Sequence, residues 1–212
     1  MVAVLPVNPL SPEAETIERA VRVVSEGGII VYPTDTVYGV GTNALDSRAV
    51  LKVFEVKKRP LGQPLPVAVG GIQMAETLAV VVSEARRLML TFWPGALTLV
   101  LRKKTIVPDV TTGGRLEVAL RAPNHQVPLR IMSLSGLPLI ATSANTHRKP
   151  SCLTAEEAES QLGDKVDLIL DGGSATGRPS TVLDLMSTPP RVLRSGSVTR
   201  KDIRRVLSSS VS

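Results

Sequence analysis

With 212 residues, 43% hydrophobic and 21% charged, the chain is long enough to bury a core and too apolar to stay unfolded. One cysteine excludes an internal disulfide and a Cys-rich zinc site and points to a reducing compartment, and aromatics at 2% weaken any single-strand nucleic-acid reading that needs base stacking. The formal charge of +6 favours an anionic partner, the phosphates of a nucleotide, of RNA, or both. His125 and His147 form no His-x-x-x-His pair, so no structural metal is expected. The start of the chain has neither a basic n-region nor a long apolar stretch, and no apolar run reaches membrane-spanning length. A cytoplasmic location with no membrane contact is the expectation.

Ser11-Pro12 reads as a cap followed by proline, opening a helix with Ile17, Ala20, Val21 and Val24 on one face and Gly27-Gly28 at its end. Residues 28–32 are a short apolar strand stopped by Pro33. Asp46 caps a second helix with Val50, Leu51 and Phe54 inward and Pro60 beyond it. A strand at 66–69 precedes a helix capped by Ser83, which carries Ala85, Leu88, Met89 and Phe92 and stops at Pro94-Gly95. Strands at 97–101 and 116–120, a helix around 127–134 and a strand at 138–141 follow. Thr154 and Glu157 form a capping box. Strands at 166–170, 181–185 and 192–193 lead to a basic terminal helix opened by Thr199 and Asp202. The pattern is an α/β or α+β layered domain of roughly seven strands and five or six helices.

Four segments are too polar for plain connectors. Pro33 to Gly41 follows a buried strand, where ligands sit in α/β sheets. Thr34, Thr36 and Tyr38 offer hydroxyls, and the glycines allow close approach. A self-bonded Thr/Gly turn is the alternative, and no GxxxxGK[ST] phosphate loop is present. Lys57, Lys58 and Arg59 end a helix, where the dipole favours cations. The prolines and Gly62 after them would also fix Lys57 and Arg59 as a clamp on a phosphoryl group. Thr142, Ser143 and Asn145 close another apolar strand. Arg121, Ser180-Thr181 and Arg194 stand at strand edges, each read singly as a surface salt-bridge residue. Asp35, Asp171 and Asp184 are candidate acids or bases with no histidine partner, Asp171-Gly172-Gly173 also reads as a tight turn, and Cys152 has no activating neighbour.

In order along the chain, PTDTVYGVG, KKRPLGQPLPV, FWPGALTLVL, VALRAP, ATSAN, STVLDL and VLRSG resemble the YrdC-like family of threonylcarbamoyl-adenylate synthases in its short form. The resemblance runs from about residue 11 to 207, leaving 1–10 as an N-terminal extension and 208–212 as a C-terminal tail. It implies a twisted, open, mixed sheet with flanking helices around a large, positively charged cleft. It implies that L-threonine, bicarbonate and ATP give threonylcarbamoyl-AMP and pyrophosphate, for modification of a tRNA adenosine by a separate transferase, with tRNA itself a possible contact. By the same resemblance Lys57, Arg59, Ser143 and Asn145 form the catalytic Lys-x-Arg and Ser-x-Asn signature. Arg59, Gln63, Ser143, Ser151 and Arg194 would bind ATP; Thr36, Arg121 and Ser180 would bind threonine. Mg²⁺ would be held mainly by the ATP phosphates. Gln63, Ala68 and Ala141 depart from the residues common in the family, an Asn, a His and a hydroxyl residue. The alternatives are a non-catalytic double-stranded RNA or tRNA binder of the same fold and a carbamoyl-transfer domain of hydrogenase maturation, which occurs in much longer chains.

Overall fold

The computed structural model describes residues 2–208; Met1 and residues 209–212 of the expected tail lie outside the described residues. The chain begins with β1 (Ala3–Pro6), α1 (Ala14–Ser25), β2 (Ile30–Tyr32), β3 (Gly39–Gly41), α2 (Ser47–Lys57) and β4 (Val67–Ala68). It continues through α3 (Ile72–Leu78), α4 (Ser83–Phe92), β5 (Leu97–Arg102), α5 (Asp109–Thr112), β6 (Glu117–Arg121) and α6 (Gln126–Ser135). The last third holds β7 (Leu139–Ile140), β8 (Thr142–Ser143), α7 (Ala155–Leu162), β9 (Leu168–Asp171), β10 (Thr181–Asp184), β11 (Arg191–Arg194) and α8 (Arg200–Ser208).

The strands form two mixed sheets where one was expected. The first has the order β1-β9-β2-β3-β8, the second β11-β10-β5-β6-β4-β7. The centre of the first sheet is buried on both faces, which explains the unbroken apolar run of β2. Ile30 and Tyr32 pack with Ile17, Ala20 and Val24 of α1 and with Val127, Ile131 and Met132 of α6. Val31 joins Val50, Val53 and Phe54 of α2 on the other side. The second sheet alternates. Val67, Leu97, Leu99, Leu120 and Leu183 enter the core that also takes Ala85, Leu88 and Met89 of α4 and Ile203 of α8. The opposite face of the second sheet is left for the site.

Local signals fixed several helix starts. The Asp46 carboxylate accepts the amides of Arg48 (2.8 Å) and Ala49 (3.2 Å). Thr154 accepts the Glu157 amide at 3.2 Å, while the Glu157 carboxylate reaches the Leu153 amide at 2.7 Å. Thr199 and Asp202 bond each other's amides at 3.2 and 3.3 Å.

Other starts differ. The first helix opens at Ala14, not at Ser11-Pro12. Asn8 Oδ1 takes the amides of Leu10 and Ser11 in an Asx turn, and the Glu13 carboxylate takes the Asn8 amide. Ser83 is the first residue of α4 rather than its cap, and its hydroxyl donates to Glu84. Leu51 is 39% exposed, and Val53 takes the inward place expected for it. Residues 3–6, within the stretch read as an extension, pair in parallel with β9.

Candidate active site

A cavity of about 380 Å³ is lined from both sheets. Its wall on the second sheet is one cross-strand row. Arg194 stands opposite Val182, Val182 opposite Thr98, and Ala68 opposite Arg121. The β5–β6 register, with Leu99 opposite Leu120, brings Thr98 beside Arg121 when continued by one residue. Parallel and antiparallel partners in register share a face, so Arg194, Val182, Thr98, Arg121 and Ala68 all line the cavity. The wall on the first sheet is a second row, Tyr32 opposite Gly39 and Gly39 opposite Ser143. Gly39 keeps this row open: a Cβ there would sit 3.0 Å from the Tyr32 ring.

The Arg121 guanidinium is tied at three points. Its Nε donates to the Gly95 carbonyl at 2.9 Å, Nη1 to Thr36 Oγ1 at 2.9 Å and Nη2 to Asp35 Oδ1 at 2.6 Å. Arg194 holds the other end of the row. Its Nε donates to the Ser180 carbonyl at 3.0 Å and its Nη2 to Ser180 Oγ at 2.8 Å, and Thr98 Oγ1 lies 3.0 Å from the same hydroxyl. Burial first, then Arg121, hold the Arg194 guanidinium below the ordinary arginine value. The Thr34 hydroxyl donates to the Val37 carbonyl and accepts the Thr36 and Val37 amides, so this loop is a self-bonded turn and a cavity wall at once.

Arg59 lines the cavity with its Nη2 on the Pro64 carbonyl at 3.0 Å. The expected Lys57–Arg59 pair does not point one way. Lys58 takes the left-handed conformation (φ 52°) and ends α2, which turns residue 59 off the helix axis. Lys57 stays behind it, 2% exposed and outside the cavity lining. Its ammonium donates to the carbonyls of Ser143 (2.5 Å) and Asn145 (2.6 Å) and lies 3.5 Å from Asn145 Oδ1. Burial, then the neighbouring Arg59, lower its pKa to about 8.

Asn145 is also behind the wall. Its Nδ2 donates to the carbonyls of Thr146 (2.9 Å) and Lys149 (2.7 Å), while Oδ1 takes the Ser143 hydroxyl. The structure therefore brings Thr36, Arg59, Arg121, Ser143, Ser151, Ser180 and Arg194 to the cavity and leaves Lys57, Gln63 and Asn145 out of its lining. Gln63 offers its carbonyl to Arg59 Nε at 3.4 Å.

The other carboxylates and the thiol are occupied in ways the sequence left open. Asp171 Oδ1 accepts the Gly173 amide at 3.0 Å, and Asp184 accepts the Met186 amide at 2.8 Å; both build turns and neither stands as an acid or base in the cavity. Burial, helped by Glu157, pushes the Cys152 thiol up to about 11, and its Sγ donates to the Ala144 carbonyl. Tyr38, pushed up to about 12 mainly by burial, donates to the Gly173 carbonyl at 2.6 Å. His125 caps α6, its Nδ1 accepting the Val127 amide at 3.2 Å.

Asp35, a candidate acid or base in the sequence, is instead the ion-pair partner of Arg121. Two glycines carried no readable role there. Gly95 supplies a carbonyl to the same guanidinium. A Cβ on Gly95 would lie 2.5 Å from the Phe92 carbonyl oxygen. A Cβ on Gly196 would lie 2.3 Å from the Pro179 carbonyl oxygen, so only glycine lets the end of β11 close on the Ser180 loop. The glycines of FWPGALTLVL and VLRSG were the signal.

Two mixed sheets with an arginine-lined cavity between their facing rows define the class of domain. The chain belongs to the Sua5/YciO/YrdC family, described as Telomere recombination, which matches residues 22–196. The threonylcarbamoyl-AMP synthase of Pyrococcus abyssi is 42% identical over 193 residues, covering 90% of this chain and 57% of that relative. The crystal structure of P. abyssi Sua5 complexed with L-threonine superposes with a TM-score of 0.94 at 40% identity, over 98% of this chain and 61% of that one. E. coli YciO superposes with a TM-score of 0.88 at 29% identity, over 96% of this chain and 100% of its own. The chain thus spans less than two thirds of the P. abyssi relative's length. Among the described residues no helix is long and apolar enough to cross a membrane.

Proposed function

We propose that this chain condenses L-threonine, bicarbonate or CO2, and ATP into L-threonylcarbamoyl-AMP with release of pyrophosphate. The threonine amine attacks the carbon of CO2 and loses a proton, giving a carbamate. A carbamate oxygen then attacks the α-phosphorus, and the bond to the bridging oxygen of pyrophosphate breaks. Such a step depends on positioning and charge neutralisation more than on a protein acid or base. The single observation that carries the reading is the row that joins Arg121, bonded to Thr36, to Arg194 at its other end, with the Ser180 hydroxyl between Thr98 and Arg194. The names of the relatives agree with it.

In this reading Arg121 and Thr36 receive the amino acid, and Ser180, whose hydroxyl lies 3.0 Å from Thr98 Oγ1 beside Arg121 in the row, closes the same pocket. Arg59, Ser143, Ser151 and Arg194 face the nucleotide, and the lining arginines would favour its phosphates. Lys57 and Asn145 serve from behind, by holding the turn that presents Ser143. Among the described residues no group of three or more His, Cys, Asp or Glu side chains could hold a metal ion. Mg²⁺ would enter on the phosphates as part of the substrate, where it would neutralise their charge. A separate tRNA-modifying transferase would consume the product.

The reading is tested by pyrophosphate release. It is expected to require threonine and bicarbonate together, and release with either one missing counts against it. Threonine should be preferred over serine only modestly, because one methyl group is worth about 1–3 kcal/mol of discrimination. Ala68 and Ala141, both in the cavity lining, leave the wall small there. Equal kcat/KM values for the two amino acids would remove the assignment of Thr36, Arg121 and Ser180 to the threonine pocket.

A further inference from the structure

We infer that Asp35 is the positioning residue of the amino-acid subsite: its carboxylate fixes the Arg121 guanidinium in the one orientation that receives the substrate carboxylate. The inference rests on the proposed assignment of Arg121 to the amino acid. Arginine carries five N–H donors. Three of those on Arg121 are committed to Gly95, Thr36 and Asp35, which leaves two, one on each terminal nitrogen. A bidentate carboxylate contact needs both at once and in one plane. An arginine on a strand facing an open cavity has many rotamers, so something must select one.

Asp35 is suited to select it. Its contact is the shortest of the three and the only ionic one, with side-chain exposures of 13% for Arg121 and 18% for Asp35. The anchor is itself anchored. The Asp35 carbonyl accepts the Thr176 hydroxyl at 2.9 Å, and the Thr36 carbonyl accepts the Gly177 amide at 2.8 Å. Inside the loop, Thr34 Oγ1 accepts the Thr36 amide at 3.1 Å. The carboxylate therefore stands on a loop tied from both sides.

Electrostatics alone gives the opposite expectation, and this makes the inference sharp. Asp35 neutralises Arg121 and repels an incoming carboxylate. If charge were its only effect, removing the charge would tighten amino-acid binding. If orientation is its effect, removing it loosens binding, because a misdirected fork loses the two-point contact.

The experiment measures KM for threonine and for ATP in Asp35→Asn, Asp35→Glu and Arg121→Lys, and in the double variant Asp35→Asn/Arg121→Lys. Thermal unfolding of each variant is followed alongside. Arg121→Lys is expected to raise the threonine KM about tenfold to a hundredfold with the ATP KM little changed. Asp35→Asn is expected to raise it by about tenfold, again without effect on ATP. The double variant should be no worse than Arg121→Lys, because Asp35 acts through Arg121. Asp35→Glu keeps the charge balance and displaces the anchor, so it too should raise the threonine KM, and it serves if Asp35→Asn does not fold. A threonine KM that is unchanged or lower in folded Asp35→Asn, with Arg121→Lys impaired, overturns the positioning role alone. An unimpaired Arg121→Lys overturns the subsite assignment and the inference with it.

Discussion

Arg59→Ala is expected to slow single-turnover pyrophosphate release by about 10²–10³ without unfolding the protein, the loss typical of removing one preorganised charge-stabilising donor. Arg59 faces the cavity, and burial draws its pKa down from the ordinary arginine value. Its exit from α2 is set by the left-handed Lys58, with the Arg59 amide on the Phe54 carbonyl at 2.9 Å. Backbone bonds thus define where the side chain starts, and the Pro64 carbonyl defines where it ends. Arg59→Lys should fall between wild type and alanine, since lysine keeps the charge but lacks the planar fork. A cation that merely ended the helix would cost about 1 kcal/mol of stability or less and leave the rate alone. Near-wild-type release by well-folded Arg59→Ala would leave only that role.

Lys57→Met is expected to cost a comparable factor in rate through a different route. The variant leaves the Ser143 and Asn145 carbonyls without their donor, a penalty of about 1–3 kcal/mol for each unsatisfied buried group. It also removes a buried ammonium whose pKa is lowered to about 8, so that burial beside Arg59 costs about 3 kcal/mol against a free lysine at about 10.4. The two effects oppose each other, so stability at neutral pH should change by no more than about 3 kcal/mol. The pH dependence separates them. Between about pH 8 and about 10.4 the unfolded lysine keeps its proton while the folded one has released it, so the unfolded state binds more protons and wild-type stability rises with pH. Lys57→Met should lack this rise. Denaturant unfolding of both proteins at pH 7, 8.5 and 10 makes the comparison. Parallel stability curves would show that the ammonium is not held in the folded state as described.

The sequence could be read wherever a signal is local. Asp46, Thr154 with Glu157, and Thr199 with Asp202 announce helix starts because a cap bonds amides two or three residues away. The same reasoning placed Ser11-Pro12 wrongly because Asn8 draws the amides of Leu10 and Ser11 into an Asx turn, and the helix opens only at Ala14. β3 was invisible as Gly-Val-Gly, a sequence with little strand preference. It is there because the second glycine passes against the chain at Ile140, where a Cβ would meet the carbonyl oxygen at 2.1 Å. Motif order collected seven cavity-lining residues. It could not give the direction of Lys57, whose partners lie 86 and 88 residues on and are brought near only by the pairing of β3 with β8. Asp35 was legible as a carboxylate near a ligand site, but not as the partner of an arginine 86 residues away.

The row that carries Arg194, Val182, Thr98 and Arg121 also acts as a ruler. Neighbouring strands are spaced about 4.8 Å apart, so the three intervals from Arg194 to Arg121 set their backbones about 14 Å apart. That length is counted in whole strands and cannot be stretched by a point substitution. Side chains along the row can change what each end reaches, but the spacing of the two backbones changes only by whole strands. Under the proposed assignment, the hydrogen-bonded lattice of the sheet sets the scale against which a ligand spanning both arginines is measured.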